Sequence, residues 1–171
     1  GYEVSADGVF PRFWAALEAP AKEVERHDFA LTKVDNDRHV MLAVTDIHLS
    51  NQNSDIEQFC TRFIPDVRAV AESFGDTPVY SLNMGDSAWD GYWYTNRYSL
   101  KDFRRTMNIV GYPAQMFCAM GNHDNDGATI HSDSVDWAAS APYRRIIGPR
   151  YYSFNIGKVH YVVLDNLIYV N

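Results

Sequence analysis

Three short apolar runs in this chain each end in a burst of polar side chains. They read "HVMLAVTDIH" (39–48), "PVYSLNMGD" (78–86) and "AQMFCAMGNHD" (114–124). Near-continuous hydrophobicity over so few residues predicts strands buried on both faces, as parallel strands between helices are. The segments between them carry helical spacing. Ile56, Phe59, Cys60, Phe63, Val67, Val70, Ala71 and Phe74 form one apolar stripe. Ser54 and Glu57 are placed to form a capping box before it, and Gly75 to stop it. Pro65 predicts a kink or a split in this helix. "SLKDFRRTMNIVG" predicts a second helix, with Ser99 as N-cap and Gly111 as its terminal glycine. A helical stretch is expected near "SDSVDWAASA", and "YYSFNIGKVHYVVLD" alternates like a hairpin around a turn at 155–158. The expected class is α/β, in the order β-α-β-α-β followed by a hairpin, with right-handed crossovers between parallel strands.

The chain has 171 residues, 46% of them apolar, which is enough for one real core. Residues 1–37 show only short mixed patterns, and Pro11 and Pro20 block long helices there. That part reads as an N-terminal arm or the tail of a preceding β domain, and residues 38–171 as the α/β unit. The formal net charge of -7 excludes a nonspecific nucleic-acid or anionic-membrane binder, since both need a basic stripe. A small anionic substrate stays allowed, because bound cations reverse the local field. No apolar run is long enough to span a membrane. Cys60 and Cys118 sit in apolar segments without a C-x-x-C and read as buried free thiols. The sequence starts without Met and stops inside an apolar run, so both ends look cut. The compartment is left open, an extracytoplasmic one included.

In a parallel α/β sheet the carboxyl ends of the strands share one edge, where ligands bind. Asp46, His48, Asp86, Asn122, His123 and Asp124 are therefore expected to converge from distant parts of the chain. Carboxylate, imidazole and carboxamide together suit Mn, Fe, Zn or similar ions. Asp86, on the middle strand, is placed to bridge two of them; in two-metal sites the ions stand roughly 3.5–4 Å apart. Gly85 and Gly121 precede the ligands and allow a close backbone approach. Asp90 either supports a ligand from behind or solvates its loop. The aromatic cluster "WDGYWYTNRY" (89–98) either packs over a loop or walls a pocket, with Trp89 lining it and Arg97 meeting an anionic group. His27, His39, His131 and His160 read as structural or solvent-facing. Arg104, Arg105, Arg144 and Arg145 read as solvated, the last two beside a "SAPYRR" turn.

"D-I-H", "G-D" and "G-N-H-D", in this order and at βαβ spacing, resemble the motifs of the calcineurin-like metallophosphoesterase superfamily. The resemblance implies a layered β-sandwich flanked by helices and hydrolysis of a phosphate mono- or diester by a metal-bridging hydroxide. It implies that Asp46 and His48 bind one metal, Asp86 bridges, and Asn122 binds the other. His123 would then sit beside the phosphate, and Asp124 would hold its ring in orientation. The hairpin segment is also similar to the family's central strand pair. The resemblance covers roughly residues 40–170, about the first half of the family domain. The family's later lone His and G-H-x-H do not occur in this sequence. The rest of the parent chain is expected to complete the site, and this segment alone to hold metal weakly and turn over little. The alternative is a member that kept the fold as a binding or scaffold module and lost the chemistry. Metal-assisted amide or lactone cleavage is a further alternative.

Overall fold

The computed structural model describes residues 1–15, 26–130, 132 and 134–170. Pro20 and His131 lie outside the described residues. The chain opens with three short strands, β1 (Tyr2–Val4), β2 (Ala6–Asp7) and β3 (Phe10–Pro11), followed by β4 (Leu31–Lys33). The three apolar runs become β5 (Val40–Val44), β6 (Val79–Asn83) and β7 (Gln115–Cys118). They form a parallel sheet in chain order, β5-β6-β7. Val44 pairs with Asn83, and Asn83 with Cys118, so the three strands end flush. That register sets their polar exits side by side.

Between β5 and β6 runs one helical segment in three parts: α1 (Asp55–Gln58), a π turn (Phe59–Phe63) and α2 (Ile64–Glu72). The expected kink at Pro65 is replaced by this π turn. Proline has no N–H for the carbonyl four residues back, and its ring crowds that carbonyl. Widening the preceding turn relieves both and keeps the helix continuous. The expected capping box at Ser54 is absent: its hydroxyl accepts from the Gln58 amide at 2.6 Å instead. Between β6 and β7 lies α3 (Leu100–Val110), which keeps its predicted ends. The Ser99 N–H donates to Asp102 Oδ2 at 3.0 Å, and Gly111 closes the helix at φ 59°. Leu100, Phe103 and Met107 on its inner face are fully buried. Each such side chain contributes on the order of 1.5–3 kcal/mol.

The remaining elements are α4 (Val135–Ala139), α5 (Ala141–Ile146), β8 (Tyr152–Ile156) and β9 (Val159–Val163). "SAPYRR" is thus mostly the helix α5 rather than a turn, and the hairpin turn narrows to Gly157 and Lys158. Alternation within the strands gives the sheet two faces. Val44, Val79, Met116 and Cys118 meet the helices, while Met41, Tyr80 and Phe117 meet the hairpin. There Phe117 stacks on Phe154 with centroids 3.8 Å apart. The amino-terminal strands join the same body. Val9 O accepts from Met116 N–H at 2.9 Å, and Phe10 packs edge-on to Phe103. Arg104 fastens them: it donates to Asp7 at 2.8 Å and to Ile146 O at 2.6 Å, so it is a cross-link and not a solvated residue. Arg105 is exposed as expected. Arg144 instead stacks over Trp137, 3.3 Å from its centroid. Cys118 is buried and Cys60 half-buried, both as free thiols. Among the described residues no helix is long and apolar enough to cross a membrane.

Candidate metal centre

Backbone pairing continues past the strand ends. Asp46 N–H donates to Gly85 O at 3.2 Å, His48 N–H to Asp86 O at 2.9 Å, and Leu49 N–H to Ser87 O at 3.1 Å. Three residues of these exits, Asp46 (φ 53°), His48 (φ 46°) and Asp86 (φ 57°), adopt left-handed backbone. That conformation costs a non-glycine residue about 1–2 kcal/mol. Strain of this kind collects where side-chain aim matters more than backbone comfort. The β6 and β7 exits touch through their glycines. A Cβ on Gly85 would lie 2.8 Å from Gly121 Cα, and one on Gly121 would lie 2.2 Å from Asp86 Oδ1.

The result is a cluster. His48, Asp86 and His123 each offer a donor atom within 4.8 Å of the others. The two imidazole rings stand 4.7 Å apart, centroid to centroid. His48 Nε2 lies 3.4 Å from Asp86 Oδ2 and 3.6 Å from Asp46 Oδ1. A cation fits this arrangement on two counts. Two ligands about 2.1 Å from a tetrahedral ion stand about 3.4 Å apart, so the spacing suits co-ligands better than hydrogen-bond partners. And carboxylate with imidazole is a donor set for borderline divalent ions. Asp46 lies on the solvent side of His48; the Thr45 hydroxyl, donating at 2.5 Å, lowers its pKa, and His48 and His123 add to that.

One assignment changes. Asp124 does not touch the His123 ring. It is fully buried, and its carboxylate accepts from Asp86 N–H (3.0 Å), Ser87 N–H (2.9 Å) and Gly121 N–H (2.9 Å). Burial pushes its pKa up to about 7, against the pull of these donors. Asp124 therefore ties the β6 exit to the β7 exit. The partner of His123 is Asp90, whose Oδ1 lies 2.7 Å from the ring Nδ1. Asp90 sits on the 3₁₀ turn Asp90–Tyr92, and its role was left open between support and solvation. Arg97 is exposed and is not among the residues that line the cleft beside the cluster.

His123 shares the cluster with the expected ligands, and its N–H donates to Asp86 Oδ1 at 2.9 Å. Asn122 opens the same short 3₁₀ turn, exposed, with its carboxamide unpaired among the described residues. Trp89 meets His48 edge-on at 5.5 Å and His123 at 6.1 Å, so it walls the site. Of the other histidines, His39 bonds Tyr161 and Asn36 O, and His160 faces Asn155. Beside the cluster opens a cleft of about 620 Å³, running from Asp46, His48 and Trp89 to Gln58, Phe59 and Arg62. Sequence reasoning missed its far wall: Arg62 is exposed on the π turn beside the apolar stripe, where a charged residue carries no signal.

Compared with known proteins, the chain matches no family model, and no curated protein sequence matches it significantly.

Proposed function

We propose that this chain carries the strand-end half of a dinuclear phosphoesterase site, in a calcineurin-like β-sandwich to which the parallel sheet and the hairpin belong. The observation that carries the reading is the convergence of three separate strand exits on one donor cluster of His48, Asp86 and His123. Asp46, His48, Asp86 and Asn122 would hold two ions of the Mn, Fe or Zn type. When bound, such a pair lowers the pKa of water and neutralises phosphoryl oxygens during in-line displacement.

The chain's own residues do the rest. Left-handed backbone at Asp46, His48 and Asp86 aims their side chains at one point. Asp124 holds two exits in register from beneath, as a positioning residue. Asp90 fixes the His123 ring, so its other nitrogen is free to meet the phosphoryl group or to give a proton to the leaving oxygen. Trp89 excludes water from one side. The substrate is a phosphate mono- or diester.

The test is Asp86→Asn in the full-length parent protein, assayed on 4-nitrophenyl phosphate with added Mn. The expected result is a fall of at least about a hundredfold, the size of several kcal/mol of lost charge stabilisation. Activity that persists overturns the bridging role. Mn binding without turnover by the unmodified protein favours a binding module instead.

A further inference from the structure

Arg62 lines the cleft that opens beside the cluster. Several cations on this acidic surface are paired, Arg104 with Asp7, Arg150 with Asp136 and Lys158 with Asp37, whereas Arg62 is the cation in the lining of the cleft. Arg62 has neither hydrogen bond nor ion pair among the described residues, and it lines the same cleft as Asp46 and His48. The other acid of that wall, Asp55, is engaged by the Ser50 hydroxyl at 2.5 Å. Arg62 is carried by the π turn, between Phe59 and Phe63, whose rings stack at 5.2 Å. Turns of this kind are rare and recur at functional sites. Trp89 lines the same cleft. A cleft of about 620 Å³ with two phenylalanines, a tryptophan and one guanidinium in its lining has the size of a small-molecule pocket.

We propose that this cleft is a substrate subsite in which Arg62 pairs with a carboxylate on the organic part of the phosphoester. The inference rests on the phosphoesterase reading and deepens it. The substrate class is a phosphoester whose organic part is a flat or apolar body ending in a carboxylate. Phe59, Phe63 and Trp89 hold the body, and the guanidinium forks onto the anion. A carboxylate fits better than a second phosphate. One guanidinium neutralises one charge, and a dianion would leave excess negative charge beside Asp46 and Asp55.

The experiment, on the full-length parent protein, compares 4-carboxyphenyl phosphate with its neutral isostere, 4-carbamoylphenyl phosphate, by release of inorganic phosphate with Mn present. The unmodified protein is expected to prefer the carboxylate by about tenfold in kcat/KM, the scale of one charge-assisted hydrogen bond. Arg62→Gln brings the ratio close to one, and Arg62→Lys leaves it in between. An equal ratio in the unmodified protein and Arg62→Gln overturns the subsite. Should neither compound be hydrolysed, the phosphoesterase reading fails, and the subsite is decided by titrating both compounds against tryptophan fluorescence. A carboxylate preference that depends on Arg62 then supports it; equal affinities overturn it.

Discussion

Two clusters of aspartates in this protein solve the same electrostatic problem in opposite ways. Around Arg150, Asp136 and Asp165 are closed off. The guanidinium donates to Asp136 Oδ2 at 2.9 Å and to the Asp165 carboxylate, and also to Ser140 Oγ at 3.2 Å and Leu167 O at 3.3 Å. The remaining carboxylate oxygens accept backbone N–H groups from Tyr169 and Leu167. At the strand ends, Asp46, Asp86 and Asp90 face two histidines and, among the described residues, no arginine or lysine. The first cluster supplies its own cation and needs nothing. The second gathers anionic and neutral donors and bends three backbones into left-handed geometry to do so. Structural charge networks are satisfied from within, whereas a site for an added ion is left one cation short.

The largest effect expected from breaking this contrast falls on the closed cluster. Arg150→Ala leaves Asp165, 5% exposed, without its counter-charge. Breaking such a buried pair costs about 3–5 kcal/mol. Urea unfolding should give a loss of that size, and added Mn or Zn should not restore it. A loss below about 1 kcal/mol would mean the network is solvated and the contrast is false.

The open cluster should respond to the ion itself. A divalent cation at a hundred times its Kd stabilises a folded protein by about 2.7 kcal/mol. In a chain of 171 residues that is a rise in Tm of roughly 5–10 °C. Thermal scans with Mn, with Zn and with chelator measure it. Asp86→Asn should abolish the rise, and Arg150→Ala should keep it on a lower baseline. A rise that survives Asp86→Asn would place the ion elsewhere.

A smaller effect separates Asp90 from the ligands. Groups that orient a ligand from behind typically contribute 10–100-fold to metal affinity or activity. Asp90→Asn keeps a hydrogen bond to His123 Nδ1 but removes the charge. Turnover of 4-nitrophenyl phosphate by the full-length parent at saturating Mn should fall towards the lower end of that range. No change would reduce Asp90 to a loop residue.

The flush strand ends were legible in advance because uninterrupted apolar runs, in parallel pairing, leave little freedom of register. The convergence of Asp46, Asp86 and His123 follows from that alone. The direction of each side chain does not. Whether Asp90 or Asp124 meets His123 is decided by the 3₁₀ turns that carry Asp90 and His123, one element away from the strands. The sequence pattern ends where those turns begin. Pro65 was readable as a disturbance, but the choice among kink, split and π turn depends on what packs against Phe59 and Phe63. The Ser54 box failed for a local reason: the Gln58 amide competes for its hydroxyl. Arg104 looked solvated because its partners, Asp7 and Ile146, come from parts of the chain whose placement depends on the finished fold.

The smallest effect lies in acid. The Arg150 guanidinium beside Asp136 lowers its pKa below the ordinary aspartate value, aided by the Tyr169 N–H. The sign follows from proton counting. Below the unfolded value of about 4, the unfolded chain binds a proton that the native Asp136 still refuses. The stability from this group is therefore full above pH 4 and is lost as pH falls through the native value. Asp136 is 35% exposed at its side chain, so solvent screens most of the effect. The measurement is the difference in Tm between the unmodified protein and Asp136→Asn, in chelator, between pH 5 and pH 3. The two curves should approach each other as the pH drops, since the aspartate loses an advantage the asparagine never had. Curves that stay parallel would show that Arg150 does not hold Asp136 more tightly in the native state than water does in the unfolded one. The closed cluster would then be closed only by Asp165.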